Sequence, residues 1–379
     1  MQNNQTTTLD HSKQSSRLLF IDVMRAYAIL MMIQGHWVDA MIEPALRDSS
    51  NWIFAWWDHM RGITAPVFFF SSGTIFSYLL LRKKLPIAEN DRFFKGIKRV
   101  FLLLLIGYLL RFNPSMLFDL DNFSFTKYSN SFAVDALHCI AFGLGLVIIS
   151  YLLHKITRVY IWIYFFIFAF MSFYLYPEFR FFDWLNIFPL PIANYFTKEY
   201  GSGFPIVPWA GFVLWGALLG YLLSKRVNIA FNRIFALVML ALGLLLRYYS
   251  GSMLDFLFNI TGDSNFHYLL HHNFLYFHLG NTFIVLGILA LISNYIKIPP
   301  ILSSVGKKTM MIYVIHIFVI YGTAYNHGFQ YYIGKSQNYT EVIISAIGIV
   351  LFFILLVYVW EKVEKLLVIK YPKYFGKKL

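Results

Sequence analysis

The sequence is short of cysteine and of charged residues, and each shortage excludes a class of protein. Cys139 is the only cysteine among 379 residues, which excludes an intramolecular disulfide and a cysteine-based metal cluster. Charged residues make up only 13% of the chain, about half of their share in an average soluble domain. The sequence also contains no tandem repeat or heptad array, so we expect neither a solenoid nor a coiled coil.

The chain is instead rich in apolar residues, with 58% hydrophobic and 20% aromatic side chains. This composition is typical of a polytopic integral membrane protein. Stretches long enough to cross a bilayer predict an all-α bundle of about ten transmembrane helices. They are Leu18–Ile42, Trp56–Leu81, Val100–Phe112, Phe132–Leu153, Tyr160–Tyr176, Phe204–Leu223, Phe231–Leu246, Phe274–Ile296, Met310–Ala324 and Val342–Trp360.

The basic residues predict the orientation of this bundle. The chain carries 32 Lys and Arg residues and a net charge of +13. With the N-terminus inside, most of them fall on the cytoplasmic side, as the positive-inside rule requires. We therefore predict two cytoplasmic termini and no nucleic-acid binding. The predicted regions are a disordered tail at residues 1–17, a transmembrane domain at 18–365 and a basic tail at 366–379.

The first predicted helix carries four ionisable side chains, Asp22, Arg25, His36 and Asp39. Charges inside a membrane span are costly, so they indicate function. Arg25 and His36 are eleven residues apart, which places both on one helix face, about 16 Å apart along the axis. We therefore predict a polar path along this helix, with Arg25 contacting substrate and His36 acting as a general base.

Most other polar residues within the spans lie in their predicted outer halves, as pairs three residues apart. The pairs are His36/Asp39, Asp58/Arg61, Asp135/His138 and His278/Asn281. A carboxylate beside an imidazole fixes its tautomer and raises its basicity. We therefore predict that Asp39 or Asp58 orients His36 and that the last two pairs contact substrate. The structural alternatives stay open, namely an ion pair that supports packing for Asp58/Arg61 and helix–helix hydrogen bonds for the last two.

Two further sets of polar residues are candidates for contacts with substrate. Ser71 and Ser72 lie mid-span in the second predicted helix, among the side chains that we consider for stabilising an oxyanion. His316 lies mid-span in the ninth, where it is either a core histidine or part of the same cavity.

On the predicted cytoplasmic side, basic residues recur every three to four positions. Arg92, Lys95, Lys98 and Arg99 would form one ridge on a helix. Such a ridge suits a polyphosphate group, while the alternative is an ordinary positive-inside loop. The histidines show no His-Glu-x-x-His spacing, so we predict no metal site.

These segments resemble the transmembrane acyltransferase superfamily, which includes the acyltransferase-3 proteins and, more closely, the bacterial relatives of heparan-alpha-glucosaminide N-acetyltransferase. The matching segments, in the expected order, are Arg17–His36, Ala65–Gly73, Asp135–Leu146, Phe204–Gly220 and Leu302–His316. The chain departs from the family pattern at two places. Ala26 follows Arg25 where many relatives have glycine, and the cytoplasmic Arg-x-x-Arg is replaced by Lys95-x-x-Lys98.

The resemblance implies transfer of an acyl group, most simply acetyl, from cytoplasmic acyl-CoA to a hydroxyl or amine of an extracytoplasmic glycan or glycoconjugate. The basic ridge would then hold the CoA, and the expected location is the bacterial cytoplasmic (inner) membrane. The expected partners are membrane lipid and the glycan acceptor, with a homodimer left open. The alternatives are a transporter or flippase for a glycan or lipid, for which buried charges are also natural, and a non-enzymatic scaffold.

Overall fold

The computed structural model describes residues 18–83, 85–119 and 121–371, and helices dominate this part of the chain. The helices are α1 (Leu19–Met41), α2 (Trp52–Gly62), α3 (Thr64–Leu81), α4 (Asp91–Arg111), α5 (Ala136–Thr157), α6 (Ile161–Tyr174), α7 (Tyr176–Phe181), α8 (Leu190–Ala193), α9 (Ile206–Lys225), α10 (Arg233–Thr261), α11 (Ser264–His271), α12 (Phe274–Tyr295), α13 (Pro300–Lys307), α14 (Thr309–Ile320), α15 (Phe329–Ile333) and α16 (Tyr339–Lys370). A small antiparallel hairpin pairs β1 (Gly322–Thr323) with β2 (Asn326–His327).

The chain is a multi-pass integral membrane protein by the length and apolarity of these helices. Six candidate spans pass both criteria in the described residues, and a seventh does so if α13 and α14, bent by 74°, count as one span. The six are Trp52–Leu81, Ser129–Thr157, Ile206–Lys225, Arg233–Thr261, Phe274–Tyr295 and Tyr339–Lys370. All ten predicted segments contain helix, but the count of ten spans and the cytoplasmic termini stay predictions.

The helix bounds differ from the predicted ones where polar residues continue a helix. The segment predicted from Val100 begins at Asp91, because the side chain of Asn90 accepts a hydrogen bond from the Arg92 amide and caps the basic turns. Helix α16 continues to Lys370, into the region predicted as a basic tail. The predicted tail at residues 1–17 and the end of the C-terminal tail lie outside the described residues.

Helix α1 lies at the centre of the bundle. It packs against α3, α12, α13, α14 and α16, and no residue from Leu18 to Ile42 is exposed. At one contact with α13, a Cβ atom on Gly306 would lie 1.9 Å from the carbonyl oxygen of Asp22. Helix α1 is not one of the six candidate spans; its ionisable side chains face protein and its cavities, as the prediction of a charged membrane span requires.

Helices α3 and α9 pack through glycine so closely that their backbones touch. A Cβ atom on Gly73 would lie 1.8 Å from the carbonyl oxygen of Val213, and one on Gly216 would lie 1.9 Å from that of Phe70. Small residues allow this approach in membranes, where packing and not water drives helix association. The contact holds α3 in place beside α1.

We expect the variant Gly216→Val to destabilise the protein by about 3 kcal/mol, because the added side chain forces α3 and α9 apart. Gly145→Val is the matched control, since a Cβ atom at Gly145 meets nothing within 4 Å. The midpoint of thermal unfolding in detergent, followed by loss of the monodisperse species, measures the difference. Equal midpoints for the two variants would contradict the close packing of α3 and α9.

Candidate functional site

A cavity of 430 Å³ opens at the inner end of α1 and is lined by basic side chains. The basic lining residues are Arg25, Arg92, Lys95, Lys98, Arg99 and Lys307. They come from α1, α4 and α13, and Ser72 of α3 also lines the wall. No Asp or Glu belongs to the lining. We call this space the inner cavity, and its charge favours a group with several negative charges.

Arg25 is the deepest of these cations and is held by α14. Its Nη2 donates a hydrogen bond of 2.7 Å to Thr309 Oγ1, while its Nε has no partner among the described residues. A guanidinium offers several donors in a fixed plane. The hydrogen bond to Thr309 fixes the position of the Arg25 side chain, and its Nε–H stays free to donate to a ligand.

A second cavity, of 580 Å³, lies at the outer end of α1, and we call it the outer cavity. Its polar lining residues are His36, Arg111, Asn113, Asn130, Asp135, Tyr313, Tyr321 and Thr323. No residue lines both cavities. On α1, helix geometry separates Arg25 in the inner cavity from His36 in the outer cavity by about 16 Å. The predicted continuous path is therefore two separately lined cavities on one helix.

His36 is in contact with a second histidine from α14. Its Nδ1 lies 3.3 Å from His316 Nε2, and the ring of Tyr321 meets it edge-on at 5.6 Å between centroids. His316 is fully buried. Of the two interpretations of His316, the structure agrees with a core histidine, because the ring is buried and is not part of the cavity lining, although it contacts His36.

Asp39 and Asp58 are joined to arginines. Asp39 Oδ1 lies 2.9 Å from Arg47 Nη2 and 3.0 Å from Arg61 Nη1, and Asp58 Oδ1 lies 3.0 Å from Arg61 Nη2. No hydrogen bond or ion pair given by the described residues joins either carboxylate to His36. Their role as the orienting group stays a prediction, and the packing ion pair that we weighed for Asp58 and Arg61 is present.

Asp135 and His138 meet at the start of α5, beside the outer cavity. The Asp135 carboxylate accepts a hydrogen bond of 3.0 Å from the Leu137 amide, and its Oδ1 lies 3.0 Å from His138 Nδ1. Arg111 Nε approaches the other carboxylate oxygen at 3.5 Å. Asp135 therefore caps the helix and also faces the cavity, whereas His138 is fully buried and is absent from the cavity lining.

The remaining predicted site residues lie apart from the two cavities. Ser71 is buried and donates to the carbonyl of Phe68 in its own helix. Asn281 accepts a hydrogen bond from Arg247 of α10, and the ring of His278 lies between aromatic neighbours on α12. None of the three lines the inner or the outer cavity. Of the three, Asn281 makes the helix–helix hydrogen bond that was the alternative for the His278/Asn281 pair.

The sequence analysis missed several lining residues. Lys307 lines the inner cavity but was not among the basic residues predicted for a polyphosphate, because it lies far from them in the sequence. Arg111 and Tyr313 line the outer cavity but carry no spacing pattern that would mark them. Among the described residues, no group of three or more His, Cys, Asp or Glu side chains could hold a metal ion.

Residues 17–249 match the family model described as heparan-alpha-glucosaminide N-acetyltransferase, catalytic. No curated protein and no solved structure matches the chain significantly. The matched region contains α1, α3, α4 and α5, which supply most of the inner cavity and part of the outer one. Helix α14, which contacts both Arg25 and His36, lies beyond it.

Two variants of Asp135 separate its role as a helix cap from its place in the outer cavity. Asp135→Ala removes the cap and should lower the free energy of unfolding by about 1 to 2 kcal/mol. Asp135→Asn keeps a capping oxygen, so its stability should stay near that of the wild type. Unfolding of purified protein in mixed micelles measures both. An Asn variant as unstable as the Ala variant would contradict the capping role.

Proposed function

The chain belongs to the heparan-alpha-glucosaminide N-acetyltransferase catalytic family, and from this premise we propose that it moves an acetyl group across a membrane. The donor is acetyl-CoA in the inner cavity, and the acceptor is an amine or hydroxyl of a glycan in the outer cavity. One observation carries this proposal. The same buried helix presents Arg25 to a cavity whose charged lining residues are all basic, and His36 to a polar cavity at its other end.

The inner cavity suits the phosphates of CoA. The Arg92, Lys95 and Arg99 side chains project from consecutive turns of α4, and Lys307 faces them from α13. Like charges held this close repel one another, so a polyphosphate that lies among them is stabilised. Arginine binds phosphate through paired donors and lysine as a point charge. Lysine at 95 and 98 in place of the family's arginines therefore keeps the charge and gives up only the paired geometry.

The thioester has to travel from the inner cavity toward His36. Helix periodicity places Ile29 and Met32 on the same stripe of α1 as Arg25 and His36. At the start of α5, Asp135 lines the outer cavity and Ile140 lines the inner cavity. These two residues are five positions apart, or about 7.5 Å along the helix axis. A flexible Met side chain can move aside for a slender pantetheine arm.

The chemistry is attack of the acceptor on the thioester carbonyl. In the tautomer that carries the proton on His36 Nδ1, this N–H donates to His316 Nε2, and His36 Nε2 is left to take the proton from the acceptor nitrogen or oxygen. The new C–N or C–O bond forms, the C–S bond breaks, and the CoA thiolate leaves with a proton from the imidazolium. His316 acts on the reaction through His36, because its ring is fully buried.

The outer cavity offers the groups that a glycan needs. Arg111, Asn113 and Asn130 supply donors and acceptors for hydroxyl groups, and Tyr321 and Phe204 supply aromatic surface. We place this cavity on the extracytoplasmic side and the inner cavity on the cytoplasmic side of a bacterial inner membrane, because the basic ridge belongs to the positive side.

The variant Arg99→Ala tests the donor site. Loss of one charged hydrogen-bond partner should weaken binding of CoA about tenfold or more, as measured by calorimetry on the protein in nanodiscs. Arg82→Ala is the control, since Arg82 lies nearby at the end of α3 but outside the cavity lining. If both variants bind CoA as the wild type does, the inner cavity is not the donor site.

The variant His36→Ala tests the chemical step. Removal of a general base should lower acetyl transfer to a glucosaminide about 100-fold to 10,000-fold, while CoA binding stays intact. The control is His272→Ala, because His272 is exposed and lines neither cavity. Release of free CoA that depends on the acceptor is the readout. Full transfer by His36→Ala would refute the assignment, and no CoA release by wild type would favour a transporter.

A further inference from the structure

A third cavity has no part in the proposed transfer reaction. It is a groove of 400 Å³ between α1, α2 and α16, and we call it the lateral groove. Gln34, Val38 and Ile42 line it at steps of four residues, so one face of α1 forms its floor. Its wall on α16 runs from Tyr339 to Leu351, about 18 Å along the axis. Because α16 is a candidate membrane span, the groove follows the direction of a lipid chain.

The lateral groove is mostly apolar, and two of its lining residues, Gln34 and Trp57, carry a polar atom that lacks a partner. Gln34 Oε1 and Trp57 Nε1 are buried and have no hydrogen-bond partner among the described residues. Inside a bilayer no bulk water satisfies such atoms, so each is costly unless a ligand pairs with it. Gln34 Oε1 needs a donor and Trp57 Nε1 needs an acceptor. A bare hydrocarbon chain supplies neither, and an ester supplies only the acceptor.

Two arginines and two aspartates pair with one another beside the lateral groove. The Arg61 guanidinium lies 5.4 Å from the centre of the Trp57 ring and pairs with Asp39 and Asp58. Arg47 pairs with Asp39 as well. Glu43 and Glu341 adjoin the lining residues Ile42 and Val342 and are exposed, so this end of the groove does not favour an anionic head group.

We propose that the lateral groove binds one chain of a membrane lipid whose linkage carries a hydrogen-bond donor as well as an acceptor, such as an amide beside a hydroxyl. The acceptor of the lipid pairs with Trp57 Nε1, and its donor pairs with Gln34 Oε1. The site lies on the side of α1 away from the Arg25 and His36 stripe, and it does not depend on the proposed acetyl transfer.

Competition between two photoactivatable lipids tests this site in full-length protein in phosphatidylcholine nanodiscs. Both lipids carry a phosphocholine head and the same diazirine-tagged chain, but one is linked by an amide with a free hydroxyl and the other by two esters. We expect the amide lipid to label the peptide 339–351 about fivefold more than the diester, as one extra hydrogen bond predicts. Equal labelling by the two lipids would overturn the proposal.

Matched variants locate the effect. Gln34→Leu, or Gln34→Met if that variant fails to fold, should bring the labelling ratio close to one, because only the amide lipid supplies a donor for Gln34 Oε1. Trp57→Phe should weaken labelling by both lipids and leave the ratio unchanged, because each lipid supplies an acceptor. Val350→Trp should block labelling by both lipids, because Val350 lines the groove. Ile344→Trp is its control, since Ile344 is 65% exposed and lies outside the lining. A preference for the amide lipid that survives Gln34→Leu would also refute the site.

Discussion

An ionisable side chain at membrane depth requires a protein neighbour or a cavity that can hold water, since lipid offers it no hydrogen bond. Helix α1 meets this requirement by lying in the centre of the bundle, where no residue from Leu18 to Ile42 is exposed. The rest of the arrangement depends on this placement. Arg25 and His36 can then face two separate cavities on one helix.

Helix α14 supports α1 at both ends of its polar stripe. Thr309 bonds to Arg25 near the inner cavity, and His316 meets His36 near the outer cavity. In both helices the residue with the lower number makes the contact near the inner cavity and the residue with the higher number makes the contact near the outer cavity. The two helices therefore run parallel there. Helix α14 lies beyond the region that matches the family. The working unit therefore extends past residue 249, and a fragment that ends there would lose a partner of each polar residue.

The bundle combines direct backbone contacts between helices with apolar side-chain packing along α1. The glycine contacts between α3 and α9 bring backbones together and leave no freedom for either helix. Between the two cavities, by contrast, the stripe of α1 carries Ile29 and Met32, which are held by packing alone. In the proposed transfer reaction, the pantetheine arm would have to pass this apolar stretch between the two cavities.

By itself, the sequence determined the membrane class, the helical segments and the stripe of Arg25 and His36, because these depend on composition and on a period of 3.6 residues. Local spacing also predicted that the basic residues of α4 form one ridge, and all four of them line the inner cavity. Only the tertiary structure decided which polar groups meet across helices. It paired His36 with His316 and not with Asp39, and it added Lys307 and Arg111 to the cavities. Residues about 280 positions apart carry no local signal of contact, since packing between helices sets their neighbours.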